Sequence, residues 1–136
     1  MYTATAVDQC VALGFQALYT ANEDDADGTV AIGTSAGLIY APTGSGAASG
    51  GTTLIGYHSG YYSPGGGETA GGLTTGIQNT AVGHETLGAN AGDGNALTGN
   101  ASTVMGYRAG YGMTGVSAEN VFIGSSAGLG VTTGTQ

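Results

Sequence analysis

One arginine and nine carboxylates are the charged side chains of this chain, two histidines are its only groups titrating near neutral pH by their ordinary values, and lysine and tryptophan are absent. His58 and His84 are the only side chains suited to general acid–base work near neutral pH. Neither has a serine or cysteine at a spacing that argues for a nucleophile, and a triad rests on geometry that spacing alone does not supply. Each occupies a variable place in a repeated pattern where other copies carry Ser, Tyr or Arg, so each reads as a solvated or axis-lining polar residue. Glu68, Glu85, Asp93 and Glu119 are scattered over separate repeats, whereas glycosidase chemistry needs two carboxyls at a fixed separation in one groove. The chain is therefore expected not to be an enzyme, and no cofactor is expected.

The densest charge is the acidic run EDDADG over 23–28. Clustered carboxylates suit a hard cation, and Asp24, Asp25 and Asp27 are the weak calcium candidates. The spacing does not fit an EF-hand loop, and AGDGNAL (91–97) is a poor echo of glycine-rich calcium repeats. A solvated loop is the plainer reading. The GSG at 44–46 has neither the lysine nor the strand–helix setting of a phosphate loop. Tyrosines beside Asn, Ser and Thr suit sugar contact by stacking and hydrogen bonding. Tyr40 and Tyr62, placed in connecting segments, are the candidate glycan contacts, while Tyr61 and Tyr111 read as parts of a packing ladder.

What positions these residues is a repeat. A glycine follows an aliphatic residue at Gly14, Gly33, Gly56, Gly83, Gly106 and Gly124. Around these anchors VALGFQALY (11–19), VAIGTSAGL (30–38), TLIGYHSGY (53–61), TAVGHETLG (80–88), TVMGYRAGY (103–111) and VFIGSSAGL (121–129) align without a gap. Before the glycine stand Leu13, Ile32, Ile55, Val82, Met105 and Ile123; three places after it stand Ala17, Ala36, Ser59, Thr86, Ala109 and Ala127. Four places before it, Cys10, Thr29, Thr52, Asn79, Ser102 and Asn120 form a small polar column.

The anchors fall 19, 23, 27, 23 and 18 residues apart, so all variation lies in the connecting segments. Such a pattern is that of a stacked unit with loops of free length. The core is too short for a helical repeat and carries glycine at its centre, which costs a helix about 1 kcal/mol. Instead it alternates, with Val30 and Ile32 on one side and Ala31 on the other, as a short strand ending at a glycine corner does. Segments 42–51, 63–72 and 90–99 are rich in turn formers and read as surface loops. The expected fold is all-β: a single repeat domain over 1–136 forming a parallel β-solenoid of six stacked coils of 18–27 residues. The nine-residue cores are expected as strand segments, with Leu13, Ile32, Ile55, Val82, Met105 and Ile123 as an interior ladder.

The motif in NTAVGHET (79–86) and TVAIGTSA (29–36) resembles the head-domain repeat of trimeric autotransporter adhesins. GFQALYTAN (14–22), GYRAGYGMTG (106–115) and NVFIGSSAG (120–128) look still more like repeats of bacteriophage tail fibres, and the connectors are longer than those of adhesin heads. The resemblance covers about residues 9–130. It implies a β-roll in which three chains pack side by side or intertwined. It also implies a virion tail-fibre location and attachment to a host surface, through a polysaccharide or protein receptor. The alternative it implies is a bacterial trimeric surface adhesin or extracellular filament subunit. With no anchor, neck or chaperone-like segment legible, the chain is expected to be part of a longer fibre.

Composition agrees with that class. A net charge of −8 repels nucleic-acid phosphates and anionic membranes, so no nucleic-acid partner is expected. No apolar run approaches the ~20 residues of a membrane span, so no membrane insertion is expected. The one cysteine, Cys10, excludes an internal disulfide framework and reads as a buried thiol. A thin glycine-rich coil buries little surface alone, which independently points to a homotrimer. The small column of Ala17, Ala36, Ser59, Thr86, Ala109 and Ala127 is the expected close approach between chains, and Arg108 is expected to pair across chains with Glu85 or Glu119.

Overall fold

Each repeat contributes three residues of extended chain that stop at the anchor glycine. The strands are β1 (Val11–Leu13), β2 (Val30–Ile32), β3 (Thr53–Ile55), β4 (Thr80–Val82), β5 (Thr103–Met105) and β6 (Val121–Ile123). This is a computed structural model, and it describes residues 9–19, 27–38, 51–61, 77–88, 100–113 and 118–131. The strands form one parallel sheet in chain order, and no helix occurs among the described residues. Every pairing joins equivalent repeat positions: Leu13 faces Ile32, Ile32 faces Ile55, and the register continues through Val82 and Met105 to Ile123. The chain is thus an all-β, solenoid-like stack. Only the first third of each nine-residue core is strand; the remainder turns away, so the expectation of nine-residue strand segments is corrected.

The anchor glycine is fixed by two demands at once. Its φ lies between 126° and 137° in all six copies, a region that other residues rarely enter. In coils one to five, a Cβ there would strike the carbonyl of the anchor glycine one coil on; at Gly56 the Gly83 oxygen would lie 2.2 Å away. Close stacking of backbone on backbone makes the column invariant. Four inter-coil hydrogen bonds repeat at every junction. Between coils three and four the N–H groups of Thr53, Gly83, Glu85 and Gly60 donate to the carbonyls of Asn79, Ile55, Tyr57 and Thr86, at 2.8–2.9 Å.

The strand alternation is present, but its sense is opposite to expectation. The middle residues point inward, and Ala31, Leu54, Ala81 and Val104 are fully buried. The Leu13, Ile32, Ile55, Val82, Met105, Ile123 ladder is continuous but lies on the outer face: Leu13 is 64% exposed, Met105 40% and Ile123 68%, and Ile32, Ile55 and Val82 are half-buried. The turn returns the chain beneath the strand, and a coil this thin has room for only one inward column from the strand. That column is the middle one.

In five of the six coils the interior is filled by compensation between two positions, and coil two, with Ala31 and Gly37, carries a small residue at both. Coils three, five and six pair Leu54 with Gly60, Val104 with Gly110, and Phe122 with Gly128; coils one and four pair Ala12 with Leu18 and Ala81 with Leu87. The pairs share one space, since a Cβ on Gly60 would lie 3.0 Å from Leu54 Cδ1 and one on Gly128 2.7 Å from the Phe122 ring. The two positions therefore cannot both carry a large side chain. The small column expected between chains belongs to this same interior. Ala17, Ala36, Ser59, Thr86 and Ala109 are buried within the coils, and the Ser59 and Thr86 hydroxyls bond each other at 2.8 Å.

The polar column also works internally. Asn79 Oδ1 accepts the Ser102 N–H at 2.9 Å, and Ser102 Oγ accepts the Asn120 N–H at 3.2 Å. Side chains there replace backbone partners from coil to coil, which explains small Ser, Thr and Asn in a buried file. Cys10, the first member of that file, is half-buried rather than buried.

Candidate functional site

After the anchor glycine the chain enters a tight turn whose second residue adopts a left-handed conformation in every coil, with φ from 52° to 58°. The turn throws the first and second residues after the glycine outward, and parallel stacking aligns them with their equivalents one coil on. In coils three to five these columns read Tyr57, His84, Tyr107 and His58, Glu85, Arg108. The register thus gathers both histidines and the only arginine onto one stripe.

The rings stack on one another. Tyr57 lies over His58 at 3.8 Å between centroids, His58 over Tyr61 at 3.9 Å, and Tyr57 over His84 at 4.9 Å. His84 continues to Tyr107 at 5.4 Å with the planes tilted by 41°. Arg108 lies 5.6 Å from the Tyr107 ring centroid and 4.9 Å from that of Tyr111, and its Nε donates to the Glu85 carboxylate. That contact corrects the expectation of a cross-chain pair: Glu85 reaches Arg108 from the preceding coil of the same chain. Glu119 is exposed and is not Arg108's partner here.

Electrostatics follow from these contacts. The hydrogen bond and charge of Glu85 raise the Arg108 pKa above its already high value. His58 is held below its ordinary value, chiefly because burial among the rings disfavours the imidazolium; the His84 charge adds to this and Glu85 opposes it. The ring faces are largely spent on each other. What the stripe offers outward is therefore ring edges, tyrosine hydroxyls, imidazole nitrogens and the remaining guanidinium donors, with Tyr57 47% and Tyr107 49% exposed. Such a surface hydrogen-bonds and stacks at its margins. Among the described residues no group of three or more His, Cys, Asp or Glu side chains is placed to hold a metal ion.

Tyr40, Tyr62, Asp24 and Asp25 lie outside the described residues, as do segments 63–72 and 90–99 and most of 42–51. Asp27 is half-buried, and its carbonyl accepts the Gly51 N–H at 3.1 Å. Tyr61 and Tyr111 sit half-buried in one column, where the Tyr111 ring occupies the space a Cβ on Gly88 would need. The Tyr57–His84–Tyr107 file was not singled out from the sequence. Its signal was there: three ring-bearing residues occupy the same repeat position in consecutive copies.

No protein-family model matches the chain, and no curated protein and no solved structure matches it. No described helix is long and apolar enough to cross a membrane.

Proposed function

We propose that this chain is a non-catalytic, structural segment of a trimeric extracellular fibre that contacts a cell surface, in the manner of a phage tail fibre. The observation that carries this reading is the outer strand face. Two columns run its full length, Val11, Val30, Thr53, Thr80, Thr103, Val121 and Leu13, Ile32, Ile55, Val82, Met105, Ile123, with no charge in either. At about 4.8 Å per coil that face is an uncharged ridge about 24 Å long. The coil interior is filled by other residues, and this ridge lies outside it, half-buried in its middle coils and exposed at Leu13, Met105 and Ile123. Three parallel copies about a common axis cover it, which moves the chain–chain contact from the small column to the strand face.

The ring stripe lies on the turn that follows the strand and is the surface offered to a receptor. Tyr57, His84, Tyr107 and the Arg108–Glu85 pair supply hydrogen-bond donors and acceptors on rigid backbone, as recognition of a surface polysaccharide or protein requires. Fluorescently labelled protein is incubated with a panel of bacterial cells and with their purified surface polysaccharides. Binding to at least one is expected, with a loss of tenfold or more in the Tyr57→Ala/Tyr107→Ala double variant. Absence of binding throughout the panel, or unchanged binding by that variant, contradicts the receptor-contact role. A bacterial surface adhesin or filament subunit remains the second reading, favoured by the adhesin-like cores at 29–36 and 79–86.

A further inference from the structure

His58, His84 and Arg108 are the only basic side chains in the sequence, and parallel stacking gathers all three onto the ring stripe. Against them, Glu85 is the only carboxylate in the stripe's two columns. Packing then separates these charges by depth. The Glu85 side chain is 21% exposed, whereas Arg108 is 43% exposed and His84 45%. The Glu85 carboxylate accepts from Arg108 Nε and lies 3.9 Å from His84 Nδ1. The anion is thus drawn inward and engaged from two sides, while the basic groups stay at the surface. The chain's net charge of −8 acts at longer range and is screened over about 8 Å at physiological ionic strength.

The donors left at that surface suit a carboxylate. Arg108 uses Nε on Glu85, and its terminal nitrogens carry four more N–H donors in a planar fork that takes a carboxylate bidentately. Contacts with the Tyr107 and Tyr111 rings, at 5.6 and 4.9 Å, hold the guanidinium in place. Protonated imidazoles present N–H donors only. Tyrosine rings stand among these groups, and Thr34, Ser125 and Ser126 continue the same columns into the flanking coils. Charge, ring edge and hydroxyl in close succession match a sugar polymer whose units carry carboxylates, C–H faces and hydroxyls. An acidic peptide offers the charge without the run of hydroxyls.

We infer that the stripe receives a surface polysaccharide bearing carboxylates, and that protonation of His58 and His84 strengthens the contact. This rests on the receptor-contact reading above and names the ligand class and the pH control of that same site. Arg108 holds a carboxylate at any pH, since its guanidinium does not titrate in the working range. The histidines add to it only when charged. His58 meets Tyr57 and Tyr61 in its own coil and His84 and Glu85 from coil four. His84 meets Glu85 in its own coil, Tyr57 and His58 from coil three, and Tyr107 from coil five. An anion that prefers the imidazolium raises its pKa on binding. By linkage, affinity then grows as pH falls through the histidine range and levels off below the free-state value. Burial holds His58 below its ordinary value, so its share of the gain comes later in the descent. Sugar carboxylates, ordinarily titrating near pH about 4, remain charged throughout.

The test titrates labelled protein with polygalacturonate and with the purified surface polysaccharides of the bacterial panel. Each polymer is used as isolated and after reduction of its carboxyls to alcohols, and polyglutamate serves as the acidic peptide. At least one carboxylated polysaccharide is expected to bind, and carboxyl reduction or Arg108→Gln should each weaken it about tenfold. Its affinity should rise about fivefold from pH 7.5 to 5, and less than about twofold in the His58→Gln/His84→Gln variant. Glutamine at positions 58 and 108 repeats Gln16 of coil one, so the turn accepts it; far-ultraviolet spectra at both pH values check that each variant is folded. Binding that survives carboxyl reduction, or a pH dependence that survives loss of both histidines, overturns the inference while leaving the receptor-contact reading in place. Preference for polyglutamate overturns it in favour of a protein ligand. Failure of every polymer to bind at either pH removes both.

Discussion

His58 shows how much a single residue's chemistry depends on its neighbours in adjacent coils. Its imidazole lies between Tyr57 and Tyr61, with His84 and Glu85 contributed by the next coil. Its pKa is lowered in the folded state, first by burial, with His84 adding to the effect and Glu85 opposing it. A lowered folded value means that the unfolded chain takes up the proton more readily. The stability this provides is complete above the unfolded value of about 6.5 and is lost as pH falls through the lower folded value. Melting temperature should therefore drop between pH 7.5 and 5, and the drop should be smaller in His58→Gln. Glutamine already occupies this position, at the same left-handed φ, in coil one as Gln16. An identical pH slope in wild type and variant would remove His58 from the account of acid stability.

At the scale of the element, the coil is defined by what its strand and turn jointly place inside. Leu54 and Gly60 share one space, as Ala81 and Leu87 do in the next coil. Leu54→Ala alone is expected to cost about 2–5 kcal/mol through lost burial and a cavity. Gly60→Leu alone overpacks the same space and costs about 1–3 kcal/mol. The double change reproduces the pairing of coil four and should recover at least about 1 kcal/mol relative to additivity. Leucine tolerates the required backbone, since Leu18 and Leu87 hold the equivalent position at φ 48° and 49°. Urea unfolding of the four proteins measures the coupling, and strict additivity would show that the two positions do not share space.

The repeat, its six anchors and its register were legible in the sequence because backbone-on-backbone stacking at the glycines tolerates no variation. Alternation in the strand was legible too, but its sense was not. Ile32 and Ile55 are larger and more apolar than Ala31, so hydrophobicity alone sent them inward. What reverses the assignment is volume: a narrow coil takes at most one large side chain from the strand centre and the turn together, and Leu54 is admitted because Gly60 faces it. The small column misled for the same reason, since Ala36, Ser59 and Ala109 are small to fit within the coil rather than between chains. The ring stripe was legible only in part: Tyr57, His84 and Tyr107 share one repeat position, but His58, 26 residues before His84, stands at the next. Only stacking, together with Tyr57, joins them into one surface.

For the whole molecule, the two faces of each strand make opposite demands. The inward face closes the coil; the outward face, uncharged and carrying Val, Ile, Leu, Met and Thr, is the one proposed for contact with other copies. Adjacent residues Leu54 and Ile55 separate these roles. Aspartate at the fully buried Leu54 strands a charge inside the coil and should abolish the folded far-ultraviolet spectrum. Aspartate at Ile55 leaves the coil interior intact and, in the proposed trimer, sets three carboxylates together at the axis. Sedimentation equilibrium in dilute buffer decides between the faces. Wild type is expected at three times the 13.1 kDa chain mass, and Ile55→Asp as a folded protein at the chain mass itself. A folded wild-type monomer, or an Ile55→Asp protein that stays trimeric, would contradict assembly through the outer strand face.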